Sequence, residues 1–142
     1  MSLKVENWTF DVLAGCGGVD STADDMLRYL KANMAARKSS LSPVFLLAQQ
    51  PRRDVDGTDR IGLAWMTRTA KPDAVIWHNG TTFGYASFIG LTADGKRGIV
   101  ILTNISESVD DLGFAALSDA PFQSYKTIPF ECWNLEQLRR CL

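Results

Sequence analysis

Apolar residues along the chain recur first at helical spacing and then at strand spacing, with the change near residue 60. Ala23, Leu27, Leu30 and Met34 are separated by four, three and four positions, which places them on one stripe of a helix. Ser21 is read as its N-cap, with Asp24 three residues on, and Arg37 and Lys38 close it where cations suit the helix dipole. A second, short helix is predicted, capped by Ser42, with Pro43 in its first turn and Pro51 ending it. Before them, AGCGG (14–18) holds too many glycines for a regular element and is read as a loop. Arg52 to Arg60 is read as a charged, solvated loop.

Four strands are predicted after that loop: IGLAWMT (61–67), AVIWH (74–78), YASFIGLT (85–92) and GIVILTN (98–104). Short polar links, among them the turn Ala93-Asp94-Gly95-Lys96, require antiparallel neighbours and hence a meander. Ile99-Val100-Ile101-Leu102 does not alternate, as expected of a strand covered on both faces. A helix from Val109 to about Leu117, capped by Ser108, is placed to cover one of them. The tail 119–142 holds two prolines, Pro121 and Pro129, and then a short amphipathic segment, with Asn134 and Gln137 spaced as cap and N3 partner. With no repeat and no linker, residues 1–142 are read as a single α+β domain.

Composition narrows this picture without changing it. At 142 residues, 46% hydrophobic and 22% charged, the chain can bury one modest core. A net charge of −1 gives no reason to bind nucleic acid or an anionic membrane. No apolar stretch has the length of a membrane span, and MSLKVENW has no hydrophobic signal core. Three cysteines (Cys16, Cys132, Cys141), no CxxC pair and one histidine do not make a zinc site at any usual spacing. No metal or cofactor is expected, and reduced, structural cysteines are favoured over a Cys16 nucleophile paired with His78.

The one histidine lies in VIWHNGTTFGYASFIGL (75–91), where the apolar run stops at His78-Asn79-Gly80. Read from the residues alone, His78 ends a strand at a glycine turn, its imidazole satisfied by a carbonyl or water. Trp65 and Trp77 are read as packing residues, and Asp24-Asp25 and Asp110-Asp111 as helix N-terminal carboxylates.

Taken together, several segments resemble one family. AGCGGVDSTADDMLRYL looks like the AGG-to-DM-x-[RK]-aromatic-L segment of class C β-lactamases and their penicillin-binding and esterase relatives. IGLAWM is similar to their G-L-G-W strand, and DDLGFAAL to their closing helix. HNGTTFGYASFIGLTADGKRGIVILTN resembles their third active-site box, a [KH]-[TS]-G strand end with a G-[FY]-x-[ST] turn and two strands. The likeness covers about 14–118, in order, and implies part of a β-lactamase/transpeptidase-like fold.

The resemblance also implies roles. A family serine acylates on a β-lactam, peptide or ester carbonyl, and the third-box strand walls the site. His78 would take the basic position that assists proton traffic or binds a substrate carboxylate. Asn79 and Gly80 would line the substrate side, and the Thr81 backbone N–H would serve the oxyanion hole. The family's S-x-x-K and Y-x-N boxes cannot be written from this chain: no serine has a lysine three positions later, and no tyrosine an asparagine two later. The chain is therefore read as the C-terminal part of such a serine hydrolase, inactive alone. The alternative is a non-catalytic binding domain derived from that fold. In the family, N-terminal strands and a helix complete the sheet, so an uncovered edge is expected here, with a homodimer or exchange of the 121–142 tail as its consequence.

Overall fold

The computed structural model describes residues 6–34, 39–69 and 74–118. A 3-10 turn at Asp11–Leu13 runs into a single helical turn, α1 (Ala14–Gly17), followed by α2 (Ala23–Met34) and α3 (Ser42–Gln49). Six strands follow: β1 (Arg53–Asp54), β2 (Asp59–Ile61), β3 (Met66–Arg68), β4 (Val75–Thr82), β5 (Tyr85–Thr92) and β6 (Gly98–Thr103). The last described element is α4 (Asp110–Leu117). Each strand pairs antiparallel with the next, in the order β1-β2-β3-β4-β5-β6, so the sheet is an unbroken meander of the α+β class. Arg37, Lys38 and the whole tail reading fall outside the described residues.

Local chemistry moves several boundaries. The cap of α2 is Thr22, not Ser21: its carbonyl accepts the Met26 N–H at 3.0 Å and its Oγ1 accepts the Asp25 N–H at 3.2 Å. Ser42 lies inside α3, and its hydroxyl accepts the Ser39 N–H at 2.9 Å, closing the preceding turn. AGCGG is partly helical, because one turn needs only the Gly18 N–H on the Ala14 carbonyl, at 2.9 Å. The expected strand 61–67 is interrupted: Ile61 ends β2, Met66 and Thr67 begin β3, and 62–65 form the turn between them. Gly62 N–H donates to the Trp65 carbonyl at 2.8 Å, Leu63 N–H to Ala48 of α3 at 2.9 Å, and Ala64 takes a left-handed φ of 70°.

Two apolar clusters sandwich the sheet. On one face Val75, Trp77 and Phe88 pack with Val109, Phe114 and Leu117 of the α4 segment, joined by Ile99 and Ile101. On the other, Leu30 and Met34 of α2, Ala48 of α3 and Trp65 pack with Ile76, Ile89, Leu91 and Val100. Ile99, Val100 and Ile101 of β6 thus meet apolar partners on the two faces, whereas Leu102 is exposed. Phe88, 1% exposed, stacks on Trp77 at 5.8 Å and meets Phe114 edge-on at 5.3 Å. Burying one such ring stabilises by roughly 1.5–3 kcal/mol relative to exposure.

Two polar links lock these layers. Gln49 donates to Asn33 at 3.0 Å and Asn33 to the Tyr29 carbonyl at 2.9 Å, so α2 and α3 meet through a satisfied buried pair. The supposedly solvated loop holds Asp59, which is 3% exposed. Its carboxylate accepts Arg68 Nη2 at 2.6 Å and Trp77 Nε1 at 3.2 Å. The Arg68 guanidinium lies 4.0 Å over Phe114 and 5.1 Å from the Trp77 ring, tying α4 to the β2–β3 hairpin.

Candidate active-site strand

The strand does not break at His78. β4 stays paired with β5 through His78↔Ile89, Asn79↔Phe88, Gly80↔Ser87 and Thr81↔Ala86 to Thr82↔Tyr85. The turn falls at Phe83-Gly84, where Gly84 holds a φ of +85° that suits glycine. Its N–H donates to Ser106 Oγ at 2.8 Å, tying the hairpin tip to the segment after β6. Polar residues at 78–82 resemble a loop in sequence because this half of the strand lies exposed, where apolar side chains are not required.

Pairing on the other side of β4 ends sooner. β3 reaches only to Met66↔Trp77, so among the described residues His78–Thr82 have no strand along that edge. The Ala74 carbonyl accepts the Ala93 N–H across the β4–β5 pair, at 2.8 Å. Backbone groups alternate along a strand, so Ile76, His78, Gly80 and Thr82 turn theirs toward β5. Asn79 and Thr81 turn theirs to the open edge. The Thr81 N–H is thus aimed away from the sheet, with no ladder partner on that side.

Side chains alternate in the other direction, across the faces of the sheet. His78 and Gly80 share the α2 face with Ile76, and Asn79 and Thr81 share the α4 face with Trp77. His78 is exposed, and its Nδ1 lies 2.6 Å from the Asn79 carbonyl. A carbonyl oxygen only accepts, so this contact is a hydrogen bond when Nδ1 carries a proton, and in the neutral form of the ring that arrangement leaves the lone pair on Nε2.

Asn79 Nδ2 donates to Asp110 Oδ2 at 2.7 Å, so its amide serves the face opposite the imidazole. At Gly80 an added Cβ would meet only the rotatable Ser87 hydroxyl, at 3.1 Å, and its φ is not in the left-handed region. Neither packing nor backbone conformation demands glycine there. What its hydrogen does is leave bare the strip between His78 and Thr82.

Other candidates lie apart. Cys16 is an exposed thiol on α1, and no hydrogen bond joins it to His78. Trp65 and Trp77, 6% and 7% exposed, are core residues. Among the described residues no three His, Cys, Asp or Glu side chains converge to hold a metal ion, and no helix is long and apolar enough to cross a membrane. The contact missed in sequence is Asp110 with Asn79: the two are 31 positions apart, and at a helix N-terminus Asp110 has the signature of an ordinary dipole carboxylate. Arg68 was equally silent, yet the Asp59 hydrogen bond pushes its pKa up from the usual guanidinium value, with Asp110 among the anions acting on it.

The match to known families comes out at the same class. The β-lactamase family model matches residues 3–121, most of the chain, and includes the strand just described. The chain belongs to the β-lactamase family. A search of curated proteins finds no match to it.

Proposed function

We propose that this chain is the C-terminal part of a β-lactamase-like serine hydrolase and supplies one wall of its acyl-transfer cleft. The observation that carries this is the open edge of β4. Within four residues it gathers a fixed outward N–H at Thr81, a bare glycine at Gly80 and an imidazole with Nε2 free at His78. In this reading the substrate carbonyl lies along that edge. As a serine attacks, charge develops on the carbonyl oxygen, and the Thr81 N–H donates to it without having to reorganise. One such donor is worth about 2.7–4 kcal/mol of transition-state stabilisation. The His78 Nε2 takes or relays the proton released by the nucleophile, or, when protonated, binds a substrate carboxylate. The serine, its lysine and the Y-x-N box come from polypeptide outside this chain.

Two assays test this. The chain alone, given a chromogenic cephalosporin or a nitrophenyl ester, shows no turnover. Turnover that survives Cys16→Ser, Cys132→Ser and Cys141→Ser together contradicts the assigned lack of a nucleophile. Fused behind a family segment carrying S-x-x-K and Y-x-N, the chain completes an active site. There Thr81→Pro removes the outward N–H while sparing the β5 ladder and lowers kcat by about 10²–10³. An inactive but folded fusion returns the chain to the class of non-catalytic binding domains.

A further inference from the structure

The backbone carbonyl that holds the imidazole is itself held from the far side of the sheet. Past Trp77, β4 has a neighbour strand only in β5, and the Asn79 carbonyl points to the open side. A peptide group there lacks the second ladder that keeps a central strand's peptide planes aligned. The Asn79 side chain supplies a restraint instead: it crosses to the α4 face and donates to Asp110 Oδ2 at 2.7 Å, a charge-assisted bond. Asp110 is in turn placed by its own backbone N–H, which donates to Ser108 Oγ at 3.2 Å at the start of α4. The helix is anchored on the core through Phe114 and Leu117. A chain of contacts thus runs from α4 to Asp110, through the Asn79 amide and carbonyl, to His78 Nδ1 at 2.6 Å.

We infer that Asp110 and Asn79 are positioning residues that set the tautomer of His78. With Asn79 clamped, its carbonyl stays where Nδ1–H can donate to it, and the lone pair is kept on Nε2, toward the cleft. Released, the peptide plane at the open edge tilts, the hydrogen bond lengthens and the proton redistributes between the two nitrogens. The same logic places an orienting carboxylate behind a catalytic imidazole, except that here a backbone carbonyl touches the ring and the carboxylate acts one residue removed. The functional meaning of the inference rests on the proposed cleft; its test does not.

One histidine in the chain makes the measurement unambiguous. Nitrogen-15 shifts of the imidazole, recorded well above the usual imidazole titration range, report the fraction of each neutral tautomer. In the unmodified protein the Nδ1–H form is the major one. Asp110→Ala and Asn79→Ala each shift the population toward Nε2–H, while Asp110→Asn, which retains an acceptor oxygen for the Asn79 amide, keeps most of the Nδ1–H form. An intact Trp77 indole Nε1–H resonance certifies the fold in each variant, and Asn79→Ala, altering an exposed side chain, serves if Asp110→Ala does not fold. A majority Nε2–H form in the unmodified protein overturns the inference. So does a ratio unmoved by Asp110→Ala or Asn79→Ala in folded protein. Because no substrate is present, a failed hydrolase assay leaves this result standing, and a failed tautomer shift leaves the hydrolase assay standing.

Discussion

Gly113→Ala sets local helix preference against tertiary packing, and the two predict opposite signs. Gly113 is buried in the middle of α4, where alanine is favoured by about 0.8–1.0 kcal/mol. A Cβ there, however, would lie 2.4 Å from both Cδ1 and Cε1 of Phe88. Carbon atoms pack at about 3.5–4.0 Å, so α4 must lift by roughly 1 Å or the ring must turn. The ring has little freedom, being 1% exposed and boxed by Trp77 at 5.8 Å and Phe114 at 5.3 Å. Contacts at 2.4 Å to a boxed ring belong in the upper half of the overpacking range, about 2–3 kcal/mol, which after the propensity gain leaves a net loss on the order of 1–2 kcal/mol.

Urea unfolding followed by tryptophan fluorescence should show the midpoint falling by about 0.5–1 M with an unchanged slope. Gly15→Ala is the control, since a Cβ there has no heavy atom within 4 Å and the midpoint should hold or rise slightly. Shaving the ring in Gly113→Ala/Phe88→Leu should be less damaging than the two single changes added together. A Gly113→Ala protein as stable as its parent, or more so, would refute the close seating of α4 on Phe88.

Further outcomes follow from individual contacts. Arg68→Ala leaves the Asp59 side chain, 4% exposed, without its cation, whereas Asp59→Asn leaves an Arg68 that is 35% exposed and can turn to water. Urea midpoints should therefore rank Arg68→Ala, at about 3–5 kcal/mol, as the more damaging change. The Asp59 N–H, with the Thr58 hydroxyl and N–H, donates to Asp56 and lowers its pKa from 3.8 to about 2, and Thr92 and Lys96 depress Asp94 further. A carboxylate depressed on folding stabilises above its unfolded value and loses that contribution as pH falls through its folded one. Stability should decline between about pH 4 and pH 2, and Asp56→Asn should flatten that limb in a pH series of melts. Amide exchange should alternate along β4, fast at Asn79 and Thr81 and slow at Gly80 and Thr82; a protected Thr81 would remove the oxyanion donor from the proposal. The outer edge of β6 has no strand beside it among the described residues, and we read it as the site where a second copy pairs. Light scattering should then give twice the chain mass at high concentration and the monomer mass for Leu102→Lys, whereas a monomer throughout would reject the pairing.

The helical stripe through Leu30 and Met34, the strands 85–92 and 98–103 and the meander could all be read from the chain, because periodicity and short turns are local properties. The same holds for the family motifs around His78. Where the reading failed, a distant partner had intervened. The break in 61–67 depends on a hydrogen bond from Leu63 to Ala48 and on an alanine held at positive φ, neither of which has a turn signature. Asp59 passed for a solvated loop residue because its guanidinium and indole partners come from two later strands.

The class of the fold, the family and the identity of the residues along β4 were legible in the chain. How those residues are presented depends on packing between distant segments. Where β3 stops against β4 is a matter of strand length and pairing, and that stop is what turns the Thr81 N–H outward. The pleat then sends His78 and Asn79 to opposite faces, and the seating of α4 brings Asp110 to Asn79. These are relations between segments that pack only after the chain has closed on itself, so no local pattern records them.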